Sequence, residues 1–411
     1  MKMRALGLLA LFLWVVSGCA MSVPPLPPDP IVATEPPVPA PPPAVSPTDY
    51  DGLAAWETAE LLPGAQAFLR SCASLGERDS ESVLSERASW AGTVAEWMSV
   101  CASIEAAGSD APSVRRVFEA LTVPVEITSS DGASRFTGYF EPLIDARRRP
   151  EPGFSFPVPG PPSDLVQTPS GPKQRTSTGA LRPYPPRAAI IPEADRVLGY
   201  AHPADVFFLQ IQGSGRLLFD DGSTLRAAYF AHNGQPFRST ANWLLNRGKI
   251  QRGEASMQGI RAWMDRVSLA DALEAMNANP RYVFFQPLPE GDPGLGPVGS
   301  ANLPLTPLGS LAIDRSFHAL GVPYLVETEA PGLGGSWRGV LVSQDTGGAI
   351  KGPVRGDIYF GTGDEAGARA GTMNAPGRMW ALLPRAAALR LKPVEVAQTP
   401  NGDIVLRTHL P

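Results

Sequence analysis

The stretch LVSQDTGGAIKGPVRGDIYFGTG, Leu341 to Gly363, constrains this chain more than any other. It places two aspartates, Asp345 and Asp357, on either side of a glycine-rich turn and a short basic run. Gly347 and Gly348 permit a tight turn or a close approach of backbone to ligand, because no Cβ stands in the way. Asp357 opens the strand-like run DIYF, which puts its carboxylate at a strand end with Tyr359 on the same face. Such an acid is a candidate proton donor if burial raises its pKa, and otherwise a turn residue that caps its own loop. Nearby, PLTPLGSLAIDRSFHALGVPYLVET reads as loop, strand, turn and strand, with SWRGVLVSQD as a further strand. Short strands, glycine turns and no long helices predict a closed or nearly closed β-barrel.

The rest of the 411-residue chain is long enough for two or three domains. A formal charge of −5 argues against a general nucleic-acid binder. His202, His232, His318 and His409 lie far apart and lack metal-ligand spacing, so neither a metal nor another cofactor is expected. No nucleotide-loop or zinc motif occurs, and the GSG of QGSGRL lacks the strand–helix context of a phosphate loop.

Lys2 and Arg4 precede an apolar run from Ala5 to Val16, the pattern of a secretory signal too short to span a membrane. The run closes on VSGC, which looks like a bacterial lipobox with cleavage before Cys19 and lipidation of that cysteine. Ala20, in place of aspartate, favours the outer membrane by similarity to sorted lipoproteins. From Pro24 to Pro47, 12 of 24 residues are proline and none is Lys or Arg. That composition predicts an extended spacer reaching about 75 Å at ~3.1 Å per residue.

Apolar spacing predicts helices over Ala54–Leu75, Ser80–Ala107 and Ser113–Leu121. Cys72 and Cys101 fall on the first two and form either a disulfide or two buried thiols. FTGYFEPLIDARRR starts as a strand and ends in the basic patch Arg147 to Arg149. DVFFLQIQGSGRLLF reads as strand, turn and strand, with Gln210 and Gln212 on one face, suited to sugar hydroxyls or simply exposed. Ser239–Arg247 and Met257–Val267 read as helices, and YVFF as a buried strand. Tyr139, Phe140 and Tyr229 could stack on sugar rings, although most aromatics are core.

Five motifs then appear in order over roughly residues 125–390: FTGYFEP, DVFFLQIQGSGRL, YVFFQP, PLTPLGSLAIDRS, and QDTGGAIKGPVRGDIYFGTG with AGARAGTMNAPG and LLP after it. Together they resemble the MltA-type lytic transglycosylases and their three-aspartate (3D) region. The resemblance implies a mainly β protein with N-terminal helices: a double-psi β-barrel, an inserted second β-rich domain, and a groove between them. The implied divisions are a lipoprotein signal at 1–18, lipidated Cys19 and tether at 19–49, and a helical part of the barrel domain at 50–136. The insert then takes 137–287 and the barrel with its 3D region 288–411.

The implied activity is that of a peptidoglycan lytic exotransglycosylase, a carbon–oxygen lyase acting on polysaccharide. It cleaves between MurNAc and GlcNAc and leaves 1,6-anhydroMurNAc ends. Asp357 would serve as acid and then base, with Asp345 supporting it. Substrate contacts would come from Thr137, Tyr139, Gln210, Gln212, Ser214, Lys351, Arg355 and Tyr359. Lys351 and Arg355 are otherwise solvated loop charges, and Glu141 is a weaker third acid. Arg355-Gly356 before the aspartate departs from the histidine–phenylalanine–aspartate site of related barrels, which leaves the flanking contacts open. Expected partners are glycan strands, the outer membrane through a lipid anchor facing the periplasm, and other cell-wall enzymes. The competing reading is a non-catalytic peptidoglycan-binding lipoprotein.

Overall fold

The computed structural model describes residues 44–289 and 291–391, and the backbone of the strands Glu395–Gln398 and Ile404–Arg407. The signal sequence, Cys19 and most of the proline-rich spacer lie outside the described residues. One end of the spacer differs from expectation. Ala44–Pro47 pairs antiparallel with Thr122–Thr128, so these residues, expected as tether, form an edge strand of the main sheet. Proline is tolerated at such an edge because its missing N–H is not needed by a further neighbour.

That sheet has nine strands. Its centre is built from Pro323–Ala330, Gly335–Thr346, Ser310–Ile313 and Arg355–Thr362, in that spatial order. Ser310–Ile313 runs parallel to Gly335–Thr346, and Arg355–Thr362 runs parallel to Arg135–Glu141, far upstream. Parallel neighbours require crossover connections, and here they interlock distant parts of the chain. Phe136, Tyr324, Leu341, Ile358 and Trp380 fill the interior at 1% exposure or less. The result is the mainly β, nearly closed barrel with N-terminal helices expected from the sequence.

The first expected helix breaks in two, Ala54–Glu57 and Leu62–Leu75, with Pro63 opening the second. Gly64 lies so close to the barrel that a Cβ there would meet the Val340 carbonyl oxygen at 2.1 Å. The second helix is shorter than Ser80–Ala107 and begins at Val94. Thr93 and Glu96 form a capping box there, which sets the start, and Gly92 turns the chain in at φ 86°. Cys72 and Cys101 are joined in a disulfide that ties these two helices together. The third helix, Ala111–Leu121, is where the spacing put it.

Between Arg135–Glu141 and Ser310–Ile313 the chain builds a second sheet of six strands. Ile144, Leu217, Phe219 and Phe285 form its core, with Val206 and Leu209 packed on it from a helix. That helix, Pro203–Gln212, replaces the strand expected from DVFFLQIQ. Pro203 occupies the first turn, His202 accepts the Ala204 N–H, and Gly213 ends it at φ 90°. Both sides are buried: Val206 and Leu209 against the sheet, Phe207 and Phe208 against the helices Thr240–Asn246, Met257–Arg266 and Leu269–Asn277. An element apolar all round carries no helical stripe.

The two sheets meet at Glu141. Its carboxylate is fully buried and accepts from Arg216 Nε at 2.9 Å and Thr362 Oγ1 at 2.8 Å, with Arg226 Nε at 3.1 Å. Both arginines also donate to the Leu295 carbonyl. Glu141 and Thr362 belong to the barrel and the arginines to the inserted sheet, so this cluster clamps the two together. The suggestion of Glu141 as a third acid is therefore corrected: it is a buried ion-pair partner without access to the groove.

Candidate active site

The two aspartates lie on one row of the barrel sheet. In register, Ala312 neighbours Asp345 on one side and Asp357 on the other, and Asp357 neighbours Thr137. Two strand spacings put the aspartate Cα atoms about 10 Å apart. Ala312 between them has almost no side chain, so the space above it stays open. Both carboxylates line a cleft of about 350 Å³, walled on the other side by Ile211, Gln212, Tyr229, Phe237 and Arg281 of the insert. A second cleft of about 660 Å³ continues it along Ser214, His232, Ser300 and Asn302, sharing Tyr139, Gln212, Arg281 and Asp345 with the first.

The environments of the two acids differ. Asp357 receives one side-chain hydrogen bond, from Thr137 Oγ1 at 2.5 Å, and that hydroxyl in turn accepts from Arg355 Nη2 at 2.8 Å. Burial pushes the Asp357 pKa up to about 6; the Arg355 charge and the Thr137 hydrogen bond oppose this only partly, while Asp345 adds a smaller upward push. Asp345 is also raised by burial, but it is far better solvated by the protein. Ser300 donates to its Oδ1 from the backbone N–H at 3.0 Å and from Oγ at 2.9 Å, and Tyr139 Oη donates to Oδ2 at 3.0 Å. Of the pair, Asp357 is the one suited to hold a proton near neutrality, and Asp345 the one suited to stay ionised.

The remaining expected contacts divide. Tyr139, Gln212 and Arg355 line the first cleft, Thr137 adjoins it through Asp357, and Ser214 lines the second. Gln210 reaches the cleft wall, but its side chain is spent inside: Nε2 donates to the Val283 carbonyl at 2.9 Å and Oε1 accepts from Arg187. Residues two apart on a helix point to different sides, so Gln210 and Gln212 do not share the face a strand would have given them. Lys351 is not in either cleft; Asp314 draws it away, at 3.7 Å, and also accepts the Gly352 N–H. Tyr359 is fully buried behind Tyr139, with ring centroids 5.3 Å apart, and Gly296 lies over its hydroxyl. Neither Lys351 nor Tyr359 is therefore placed to touch a ligand in the groove.

Sequence reasoning passed over Phe237, Arg281 and Ser300. Only Arg281, adjoining the YVFF run, stands beside a recognised motif, and nothing local marks the other two. Among the described residues no group of three or more His, Cys, Asp or Glu side chains could hold a metal ion, and no helix is long and apolar enough to cross a membrane.

Known proteins share this organisation. Residues 135–286 match the MltA specific insert domain, and residues 309–383 match the 3D domain. The membrane-bound lytic murein transglycosylase A of Escherichia coli K12 is 35% identical over 285 residues, 67% of this chain and 72% of that protein. A membrane-bound lytic murein transglycosylase from Agrobacterium tumefaciens superposes with a TM-score of 0.72 at 27% identity, covering 84% of this chain and 99% of that one. The structure of Escherichia coli MltA with bound chitohexaose superposes at 0.60 with 26% identity, covering 84% and 93%.

Proposed function

Because this chain belongs to the MltA family of lytic murein transglycosylases, we propose that it cleaves peptidoglycan strands in the groove between barrel and insert, with Asp357 as the proton donor. The strand binds with a MurNAc–GlcNAc linkage over Ala312. Asp357, protonated, gives its proton to the glycosidic oxygen as the bond to the MurNAc anomeric carbon breaks and positive charge grows there. Asp345, held by Ser300 and Tyr139, faces that charge as a carboxylate. The 6-hydroxyl of the same MurNAc attacks the anomeric carbon and passes its proton to the Asp357 carboxylate, which restores the acid. A 1,6-anhydro ring closes and GlcNAc leaves with a free hydroxyl. An intramolecular nucleophile has a high effective molarity, so one carboxyl group suffices where a hydrolase uses two.

The observation that carries this reading is the inequality of the two carboxyl groups, one raised to about 6 and lightly bonded, the other gripped by three donors. Two acids side by side on one wall, two strand spacings apart, could also serve an inverting hydrolase, with Asp345 activating water. Donors on both oxygens of Asp345 already occupy the lone pairs an attacking water would need, which argues against that role. A purely sugar-binding protein would have no use for an acid kept half-buried against its own solvation. Lipidation at Cys19 would hold the enzyme at the outer membrane, within reach of the wall on its proline-rich leash.

The pH profile tests the assignment. A general acid must be protonated in the free enzyme, so kcat/KM on peptidoglycan falls as pH rises through about 6. A profile flat from pH 5 to pH 8 would contradict the role of Asp357.

A further inference from the structure

Opposite the aspartates, Arg281 stands just before the strand Val283–Leu288 and reaches across the groove. A Cβ placed on Gly348, in the turn after Asp345, would lie 3.6–3.7 Å from Cζ, Nη1 and Nη2, so the guanidinium lies against that turn. Among the described residues its side chain has no hydrogen-bond or ion-pair partner. Its neighbours in the groove are Tyr229, 45% exposed, and His232. Burial lowers the pKa of Arg281, and burial with the Arg281 charge brings His232 down to about 4, so the imidazole adds no cation and carries no negative charge either.

The backbone beneath is fixed by a second arginine. Arg187 is buried and donates to the carbonyls of Arg281 at 2.7 Å and Asn279 at 3.0 Å, and to Gln210. It lies over the rings of Phe207 and Tyr282 and is paired with no carboxylate among the described residues. This wall of the groove thus holds two guanidinium groups with no acidic partner of their own. A half-buried cation without a counter-ion has lost water and gained little in return, and a ligand anion would make good that loss.

We propose that Arg281, held in place by Arg187, is a carboxylate subsite that distinguishes acidic glycan strands from neutral ones. The idea rests on the glycan-cleaving reading above and adds to it the substrate's charge. The carboxylate has two sources, the lactyl group of a peptide-free MurNAc or an acidic residue of a stem peptide. Arginine suits either, because its planar fork meets a carboxylate with two parallel hydrogen bonds.

Binding tests the proposal independently of catalysis. In an Asp357→Asn chain, Arg281→Gln and Arg281→Lys are compared with the unaltered Arg281 by calorimetric titration. The probes are chitohexaose, peptide-free GlcNAc–MurNAc oligomers, and the same oligomers with their stem peptides attached. Arg281→Gln should weaken at least one acidic probe about tenfold or more, the scale of a lost charge-assisted hydrogen bond. Chitohexaose should change less than about twofold on the same scale, and Arg281→Lys should recover part of the loss. A loss with the peptide-free oligomers identifies the lactyl carboxylate; a loss confined to the peptide-bearing ones identifies the stem. Equal weakening of all three probes, or no change with either acidic one, overturns the subsite. Failure of the catalytic reading would show separately, as strands left uncut by the Asp357 chain, and would leave these affinity ratios readable.

Discussion

Asp357→Asn should abolish peptidoglycan turnover, lowering kcat roughly 10³-fold or more, while the variant still sediments with murein sacculi. Asparagine keeps the shape and the Thr137 contact but has no proton to give the leaving oxygen. The same variant should be more stable than its parent, with a definite pH dependence. Folding raises the Asp357 pKa from 3.8 to about 6, so the folded parent holds a proton that the unfolded chain releases. That contribution favours the folded state fully below about pH 4 and is lost as pH rises toward 6. Above that window the parent carries a half-buried charge that asparagine lacks. The variant should therefore gain about 1–3 kcal/mol at pH 8 and much less at pH 4.5. Lost turnover with a raised urea midpoint marks a group whose burial serves chemistry at the expense of stability. Asp345→Asn, assayed alongside, should also lose activity. Burial raises its pKa as well, so its alkaline gain in stability has the same sign, set against the loss of the hydrogen bonds from Ser300 and Tyr139. Full activity in Asp357→Asn would move the acid elsewhere, and a dead Asp345→Asn beside it would point to exchanged roles.

The largest effect on stability should come from Glu141→Ala. Two guanidinium groups and the Thr362 hydroxyl converge on a carboxylate with no exposure to solvent. Removing one partner of a buried ion pair typically costs about 3–5 kcal/mol, because the charges left behind cannot recover their water. The exposed pair Arg148–Asp221, at 3.6 Å, is the natural comparison, and Arg148→Ala should leave the urea midpoint almost unmoved. Since the Glu141 cluster joins the two walls of the groove, Glu141→Ala should also raise KM before it lowers kcat. A Glu141→Ala chain as stable as its parent would show that the two sheets are held together by something other than this clamp.

Much of this architecture is legible in the residues because barrel strands obey a local rule. SLAI and PYLVETEA are bounded by turn residues, and they appear as the strands Ser310–Ile313 and Pro323–Ala330. The helix Pro203–Gln212 was not legible, since burial on both sides erased the period that separates helix from strand. The misreading then carried Gln210 with it. Two opposite failures affected the site residues. Tyr359 has the strand period in its favour, yet a loop from residues 291–299 covers it, and no local pattern reports a covering loop. Arg281 and Ser300 lie 64 and 45 residues before Asp345, and only the folded chain brings them to the same groove. The aspartates were visible through their glycine turn, but the inequality between them was not. It comes from Thr137, Tyr139 and Ser300, none of which is adjacent to either acid in sequence.

The central claim is that the substrate's own hydroxyl, and not water, replaces the leaving sugar. It is tested most directly by digesting purified sacculi in water enriched in oxygen-18 and weighing the released muropeptides. The account predicts products one water lighter than a hydrolysed fragment, with non-reducing anhydro ends and no heavy oxygen. Reducing-end products carrying one oxygen-18 would contradict it, and would make Asp345 the base of a hydrolase.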